Sequence, residues 1–267
     1  MRNTKDRWIF ALAICLFGLA SINFRSDAKI ADKDIIAQWS FDKGGKNAVD
    51  ISGNGHDGTF DLGAKRGQGK FGMGVHLDGG KGSLVTVEDH KDLNVTKQLS
   101  IVAWVKWNKG GVVHEGPRRW PMIVSKIAIN QAYLLFLDTG DGVNPNKPSI
   151  AFRMKGPGTV YSKVTVKDEI WYHAAGIYDG KAITVYIDGK LSNQKNATAP
   201  IATTNDVLTI GANKAGISNR FDGVIDAVGI YNRGLTAEEV AETMKGFAPV
   251  EPQGKAALLW GRLKSQH

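Results

Sequence analysis

The chain has 267 residues, a formal net charge of +8 and 42 % hydrophobic residues, which excludes intrinsic disorder over most of its length. Its 32 Gly against 8 Pro and 1 Cys point to many tight turns between short strands, and a core of this size needs no disulfide staples. The 26 acidic residues divide into 19 Asp and 7 Glu, so most acidic groups sit where turns form rather than in helices.

The first stretch reads as an export signal. Arg2, Lys5 and Arg7 precede the apolar run Trp8 to Ala20, whose 13 residues are too few to cross a bilayer. Ser26-Asp27-Ala28 offers a small-x-small cleavage site, so residues 1–28 form a secretory signal peptide, with retention as an anchor the alternative. Cys15 leaves with it, and the mature chain then has no thiol for disulfides, thiolate metal sites or nucleophilic catalysis. The expected location is secreted, periplasmic or cell-surface, with no membrane span after signal removal. The remaining 30 basic and 24 acidic residues give a net charge of +6. Lys and Arg are scattered, with Arg118-Arg119 the densest cluster, whereas nucleic-acid binding needs clustered charge. No nucleic-acid partner is expected.

In chain order, strands are predicted over 35–41, 73–78, 84–87 and 99–107. The last of these is nearly continuous in apolar residues, as suits burial on both faces. A loop over 108–121 carries Gly110, Gly111, His114, Arg118, Arg119 and Trp120. Strands resume at 122–126, 133–138, 149–154, 171–178, 182–188, 207–211 and 221–231. Asp179-Gly180 and Asp188-Gly189 supply hairpin chemistry. A helix starts at Thr236, where Thr236-Ala237-Glu238-Glu239 fits a capping box, and stops at Gly246. Residues 29–248 form one domain; 249–267 are a linker and short tail containing Leu258, Leu259 and Trp260. Strands at this spacing with antiparallel turns predict an all-β, two-sheet antiparallel β-sandwich with one short C-terminal helix.

Several motifs fail on context. Gly67-Gln68-Gly69-Lys70-Phe71-Gly72 satisfies G-x-G-x-x-G, but β-like alternation follows it where a dinucleotide site needs a helix. The six His are isolated in sequence, and His114-Glu115 lacks the second His of a zinc protease. His173 alternates with strand residues and reads as structural. Outside the helix and tail the only Glu are Glu88, Glu115 and Glu169, all in apparent turns. The acid/base pair of a glycosidase is therefore missing, and catalysis is not expected.

One constellation stands out. Asp50-Ile51-Ser52-Gly53-Asn54-Gly55-His56-Asp57-Gly58 and Phe221-Asp222-Gly223-Val224-Ile225-Asp226 offer the oxygen donors that Ca²⁺ takes in six- to eight-fold coordination. Asp42 is a further donor. If the first and last strands are neighbours, Asp226 points at the loop of Asp50. A single loop Asp is ordinarily just a turn residue, so the case rests on the pair.

Trp39-Ser40-Phe41-Asp42, Asp50 to Gly58, Gly69-Lys70-Phe71-Gly72 and Leu99 to Trp107 occur in order along the chain. They are followed by Ile123-Val124-Ser125-Lys126, Trp171-Tyr172-His173, Tyr178-Asp179-Gly180, Tyr186-Ile187-Asp188-Gly189, Phe221 to Asp226 and Ile230 to Leu235. Together they resemble the laminin-G-like, concanavalin A-like (pentraxin-like) jelly-roll domain family, over residues 35–247. The resemblance implies two packed antiparallel sheets and a structural Ca²⁺ near their joined ends. Its ligands would be the Asp50 and Asp226 side chains, the backbone oxygens of Asn54 and His56, and Asp42. The family often has Asp-Glu where this chain has Asp226-Ala227, which removes one carboxylate from that corner.

The resemblance further implies a binding module rather than an enzyme, with an extracellular glycan or a cell-surface protein as partner. Carbohydrate binding is the expected role. An extracellular protein-binding or envelope-structural module is the alternative, and a glycoside hydrolase or lyase the third. Trp107, Arg118, Arg119 and Trp120 are the candidate ligand residues, because aromatic faces and Arg forks suit sugar stacking and carboxylate recognition. The competing reading is that Trp107 finishes a core strand and Trp120 caps the loop.

Overall fold

The computed structural model describes residues 30–80, 82–108, 120–127, 132–140, 147–213 and 219–247. The predicted export signal over 1–28, Arg118, Arg119 and the tail over 249–267 lie outside them. The described strands are β1 (Ile35–Trp39), β2 (Asn47–Ala48), β3 (Gly58–Asp61), β4 (Lys65–Gln68), β5 (Met73–Leu77), β6 (Leu84–Val87), β7 (Leu99–Trp107) and β8 (Met122–Lys126). They continue with β9 (Tyr133–Asp138), β10 (Ser149–Met154), β11 (Gly158–Tyr161), β12 (Trp171–Tyr178), β13 (Ala182–Ile187), β14 (Lys190–Asn196), β15 (Leu208–Ile210) and β16 (Gly223–Tyr231), before helix α1 (Ala237–Thr243).

These strands form two antiparallel sheets of eight. Sheet A runs β14-β13-β12-β7-β16-β5-β4 with β1 also on β16, and sheet B runs β11-β10-β9-β8-β15-β6-β3-β2. This is the predicted sandwich. Its core lies between the sheets and includes Trp39, Phe41, Ile101, Val105, Phe152, Tyr178 and Ile225. The central strands bury both faces: β7, β9 and β12 are buried along almost their whole length, which is why their sequences run apolar without clean alternation. Smaller clusters cover the outer faces. Val102, Ala175, Ile177, Tyr231, Leu235 and Val240 pack under α1 on sheet A. Met122, Ile127, Leu134, Phe136 and Ala151 pack on sheet B.

The helix begins as predicted. Thr236 accepts from the N–H of Glu239 while the Glu239 carboxylate accepts from the N–H of Thr236, closing the capping box. Arg233 fastens this end to the start of β1, since its guanidinium reaches Asp34 at 2.8 Å and both oxygens of Glu239. Among the described residues no helix is long and apolar enough to cross a membrane.

β16 organises the candidate site. β7 flanks one side; β5 flanks Gly223–Ile225 on the other, and β1 flanks Val228–Tyr231. The first and last strands are thus neighbours. Where β16 passes from one partner to the other, its register with β7 shifts between Asp226 and Gly229. Ala227 takes a left-handed φ of 47° there, a conformation that non-glycine residues enter at a cost of about 1–2 kcal/mol. This bulge aims the Asp226 carboxylate.

Candidate binding site

The predicted metal donors divide into two groups. A carboxylate offers about four lone-pair positions, and Asp50 uses that many within the chain. Its Oδ1 accepts from the N–H groups of Gln38 at 3.0 Å and Ser52 at 2.9 Å. Its Oδ2 accepts from Ser52 Oγ at 2.9 Å and the N–H of His56 at 3.0 Å. The buried Asp50 therefore pins the loop over 50–58 to β1 as a hydrogen-bond acceptor. Asn54 donates its amide to the carbonyls of Ile35 and Ile36. The His56 carbonyl accepts from Trp39 Nε1 at 3.0 Å. These three residues fit a hydrogen-bonded loop better than a cation shell.

Asp42 and Asp226 converge elsewhere, on the turn between β4 and β5. Asp226 Oδ2 accepts from the N–H groups of Lys70 and Phe71, both at 2.9 Å, and its Oδ1 from that of Ala227 at 2.6 Å. Asp42 Oδ1 accepts from the N–H of Met73 at 2.8 Å. The turn must come close: a Cβ at Gly72 would lie 2.2 Å from Asp42 Oδ1, and one at Gly69 2.6 Å from Asp226 Oδ2. Gly69 and Gly72 thus serve carboxylate approach rather than phosphate approach, while Gly67 makes room for the His76 ring. Burial pushes the Asp226 carboxyl up to about 6; the three N–H donors oppose the rise and the nearby Asp42 charge adds to it. Two carboxylates on one turn, one of them buried, form the donor chemistry that a hard divalent cation satisfies. This pair suits a cation better than the fully hydrogen-bonded Asp50 does.

A second feature lies on the same face of sheet A. Lys65, His76, Val224, Lys106 and Trp171 stand side by side across five strands, with the Lys106 ammonium 5.6 Å from the Trp171 ring centroid. At the neighbouring strand ends, Asp78, Trp107, Asn108, Glu169 and Asp222 complete a cleft of about 450 Å³. The chain crosses itself tightly here. The N–H of Asn108 donates to the Asp222 carbonyl at 2.9 Å, and that of Glu169 to the Trp107 carbonyl at 2.8 Å. A Cβ at Gly223 would lie 2.1 Å from the Lys106 carbonyl oxygen. Burial, with Asp78 and Asp168 behind it, raises the Asp222 carboxyl above its ordinary value against the hydrogen bond from Gly79.

The two predicted tryptophans part company. Trp107 lines this cleft but belongs to the inter-sheet core, 4 % exposed, and its buried indole N–H has no hydrogen-bond partner. Trp120 packs on the outer face of sheet B, 5.7 Å from the Phe136 ring, with the Arg153 guanidinium 5.6 Å from its own. They do not share a surface. The sequence places Asp78 at the end of a strand, Asn108 at the start of a loop and Asp222 among the oxygen donors for Ca²⁺, and marks none of them as a glycan contact. Their common signal is that each adjoins the end of a strand of one sheet.

A family model described as the concanavalin A-like lectin/glucanases superfamily matches residues 78–241. No curated protein matches. Among solved structures, the binding domain of Paraclostridial Mosquitocidal Protein 1 aligns with TM-score 0.61 at 20 % identity, over 79 % of this chain and 52 % of that one. Domain 4 of AbnA, a GH43 extracellular arabinanase from Geobacillus stearothermophilus solved with arabinotriose, aligns with TM-score 0.60 at 22 % identity, over 79 % and 98 %. The botulinum neurotoxin serotype D ligand-binding domain, solved with N-acetylneuraminic acid, gives 0.59 at 13 % identity, over 80 % and 51 %. This chain spans about half the length of the toxin domains and nearly the whole of the arabinanase domain.

Proposed function

Because the chain belongs to the concanavalin A-like lectin/glucanase superfamily, we propose that it is a non-catalytic, secreted carbohydrate-binding module. The observation that carries this reading is the cleft at the strand ends of sheet A. Its lining brings together Lys65, Lys106, Asn108, Asp78, Glu169 and Asp222 beside the largely buried Trp107. Sugar hydroxyls both donate and accept, so a lining that mixes acceptors with donors beside an aromatic matches them. The resemblance to an arabinanase domain solved with arabinotriose, over 98 % of its length, supports an arabinose oligosaccharide as the first ligand to try. Secretion rests on the Arg2 to Ala28 segment alone.

The reading includes a calcium ion held by Asp42 and Asp226, with further oxygens from backbone or water. What supports it is the convergence of these two carboxylates on one turn. When bound, the ion neutralises charge that is otherwise buried.

Isothermal titration of the full chain with arabinotriose and related oligosaccharides tests the glycan reading. Wild-type binding weakened about tenfold or more by Asn108→Ala and by Lys106→Ala, at unchanged melting temperature, is the expected result. Binding that ignores both variants, or no binding to any glycan offered, refutes it. A hydrolase reading gains from the raised carboxyl of Asp222 beside Asp78, the environment of a general acid. Polysaccharide turnover that disappears in Asp222→Asn would establish it instead.

A further inference from the structure

The histidines that look isolated in sequence are not all isolated in space. β3 pairs with β6 so that Gly58 faces Val87, and extending this register brings the residues before β3 against the turn after β6. His56 and His90 meet there, with ring centroids 5.0 Å apart and planes at 65°. The His56 backbone is held on both sides, its N–H by Asp50 and its carbonyl by Trp39. The ring is thereby placed, only 4 % exposed, with Nε2 buried and without a hydrogen-bond partner. An unsatisfied buried polar atom of this kind costs about 1–3 kcal/mol and calls for a reason. Beside it, His90 Nδ1 accepts from the Asp92 N–H at a long 3.4 Å and stands 3.2 Å from Asp92 Oδ2, a separation close to the roughly 3.3 Å between two ligands of a tetrahedral zinc ion, so that coordination would replace this weak cap. One ligand atom from each of His56, His90 and Asp92 lies within 4.8 Å of the other two.

We propose that His56, His90 and Asp92 form a binding site for a divalent transition-metal ion of the zinc class, with two imidazole nitrogens and one carboxylate oxygen as ligands. The fourth position is left to water or to a donor from a partner. The side chains of His90 and Asp92 are about half exposed and free to close by the ångström or so that coordination needs, while the buried ring of His56 supplies the fixed point. Two imidazoles select a borderline ion over the hard, oxygen-seeking Ca²⁺. This site is therefore chemically distinct from the Asp42–Asp226 corner. Its ion would tie the loop over 50–58 to the segment after β6.

The test uses chelator-stripped full-length protein titrated with Co²⁺ and Zn²⁺. One equivalent is expected to bind, Co²⁺ giving a tetrahedral visible spectrum, with no competition from Ca²⁺. Loss of a direct ligand should exceed the 10- to 100-fold cost of an outer-shell change. His90→Ala and Asp92→Asn are thus expected to weaken Zn²⁺ by more than about 100-fold; Asp92→Asn, at a half-exposed side chain, should leave the metal-free melting temperature unchanged, while His90→Ala should lower it only by the loss of a weak cap. Absence of Zn²⁺ and Co²⁺ binding below about 1 mM, or an affinity unchanged in both variants, overturns the proposal.

Discussion

Replacing Asp50 separates its two conceivable roles, acceptor and cation ligand. Asp50→Ala removes the partner of four donors: the N–H groups of Gln38, Ser52 and His56 and the Ser52 hydroxyl. Ser52 stands closer to solvent and recovers water at little cost. Gln38 and His56 are buried, and each N–H left without an acceptor there costs about 1–3 kcal/mol. The expected loss is about 2–6 kcal/mol, a large share of the 5–15 kcal/mol typical of a folded domain. Asp50→Asn should recover part of it, because one side-chain oxygen survives while the new amide N–H₂ opposes the His56 donor. Urea unfolding followed by tryptophan fluorescence, in chelator at neutral pH, measures all three proteins. Since the structure assigns Asp50 to hydrogen bonding, the loss must appear in full without calcium. A cost below about 1 kcal/mol in chelator that grows on adding Ca²⁺ would refute the argument and restore Asp50 to the metal shell.

Three further variants probe other parts of the fold. Arg233→Ala breaks the bridge from Asp34 to Glu239; its charge-assisted bonds are partly exposed, so a loss of about 1–3 kcal/mol by urea unfolding is expected, and none would show the bridge to be ornamental. In chelator, Asp226→Asn should abolish a loss of stability of about 3 kcal/mol as pH rises from about 4 through about 6, because the folded carboxyl lies near 6 against 3.8 in the open chain. His173→Gln should abolish a loss of similar size as pH falls from 6.5 toward 4, because burial pushes the folded imidazole down to about 4. Unfolding midpoints across pH check both, and profiles that match wild type in both variants would contradict them.

The sandwich was legible because its central strands carry apolar runs between Gly and Asp turns. β7, β8, β9, β10 and β12 have the predicted bounds. The strands that escaped notice are short or polar. β14 reads Lys-Leu-Ser-Asn-Gln-Lys-Asn and is mostly exposed, and β4 reads Lys-Arg-Gly-Gln. Both lie at the ends of sheet A, where charge discourages edge-to-edge pairing and erases the alternation that announces a strand. The site was less legible for a different reason. Asp, Asn and His in a Gly-rich loop have the same composition whether they accept backbone N–H groups or ligate a cation, and only the count of donors on Asp50 separates the two. The pairing of His56 with His90 follows from a strand register, which residue spacing does not encode.

Asp226 and His173 stand on one rung of sheet A, with Trp104 paired between them. This rung faces α1: Trp104 Nε1 donates to the Met244 carbonyl at 3.2 Å, and His173 Nε2 meets Thr243 Oγ1 at 3.2 Å. The same burial acts on both titratable groups, but it favours the neutral form of each, and the neutral form is protonated for Asp226 and deprotonated for His173. Their effects on stability therefore run in opposite directions over the same window, from about pH 4 to about pH 6, and are of similar size. Chelated wild-type protein should then show a nearly flat profile that conceals two strong dependences. A cation between Asp42 and Asp226 changes only one of them, since it offsets the cost of the ionised carboxylate and leaves the imidazole untouched. Saturating calcium should accordingly turn the flat wild-type profile into that of Asp226→Asn, with stability falling below pH 6.5. A profile that calcium does not alter would leave Asp226 as a buried acid serving the turn at Lys70 and Phe71, and nothing more.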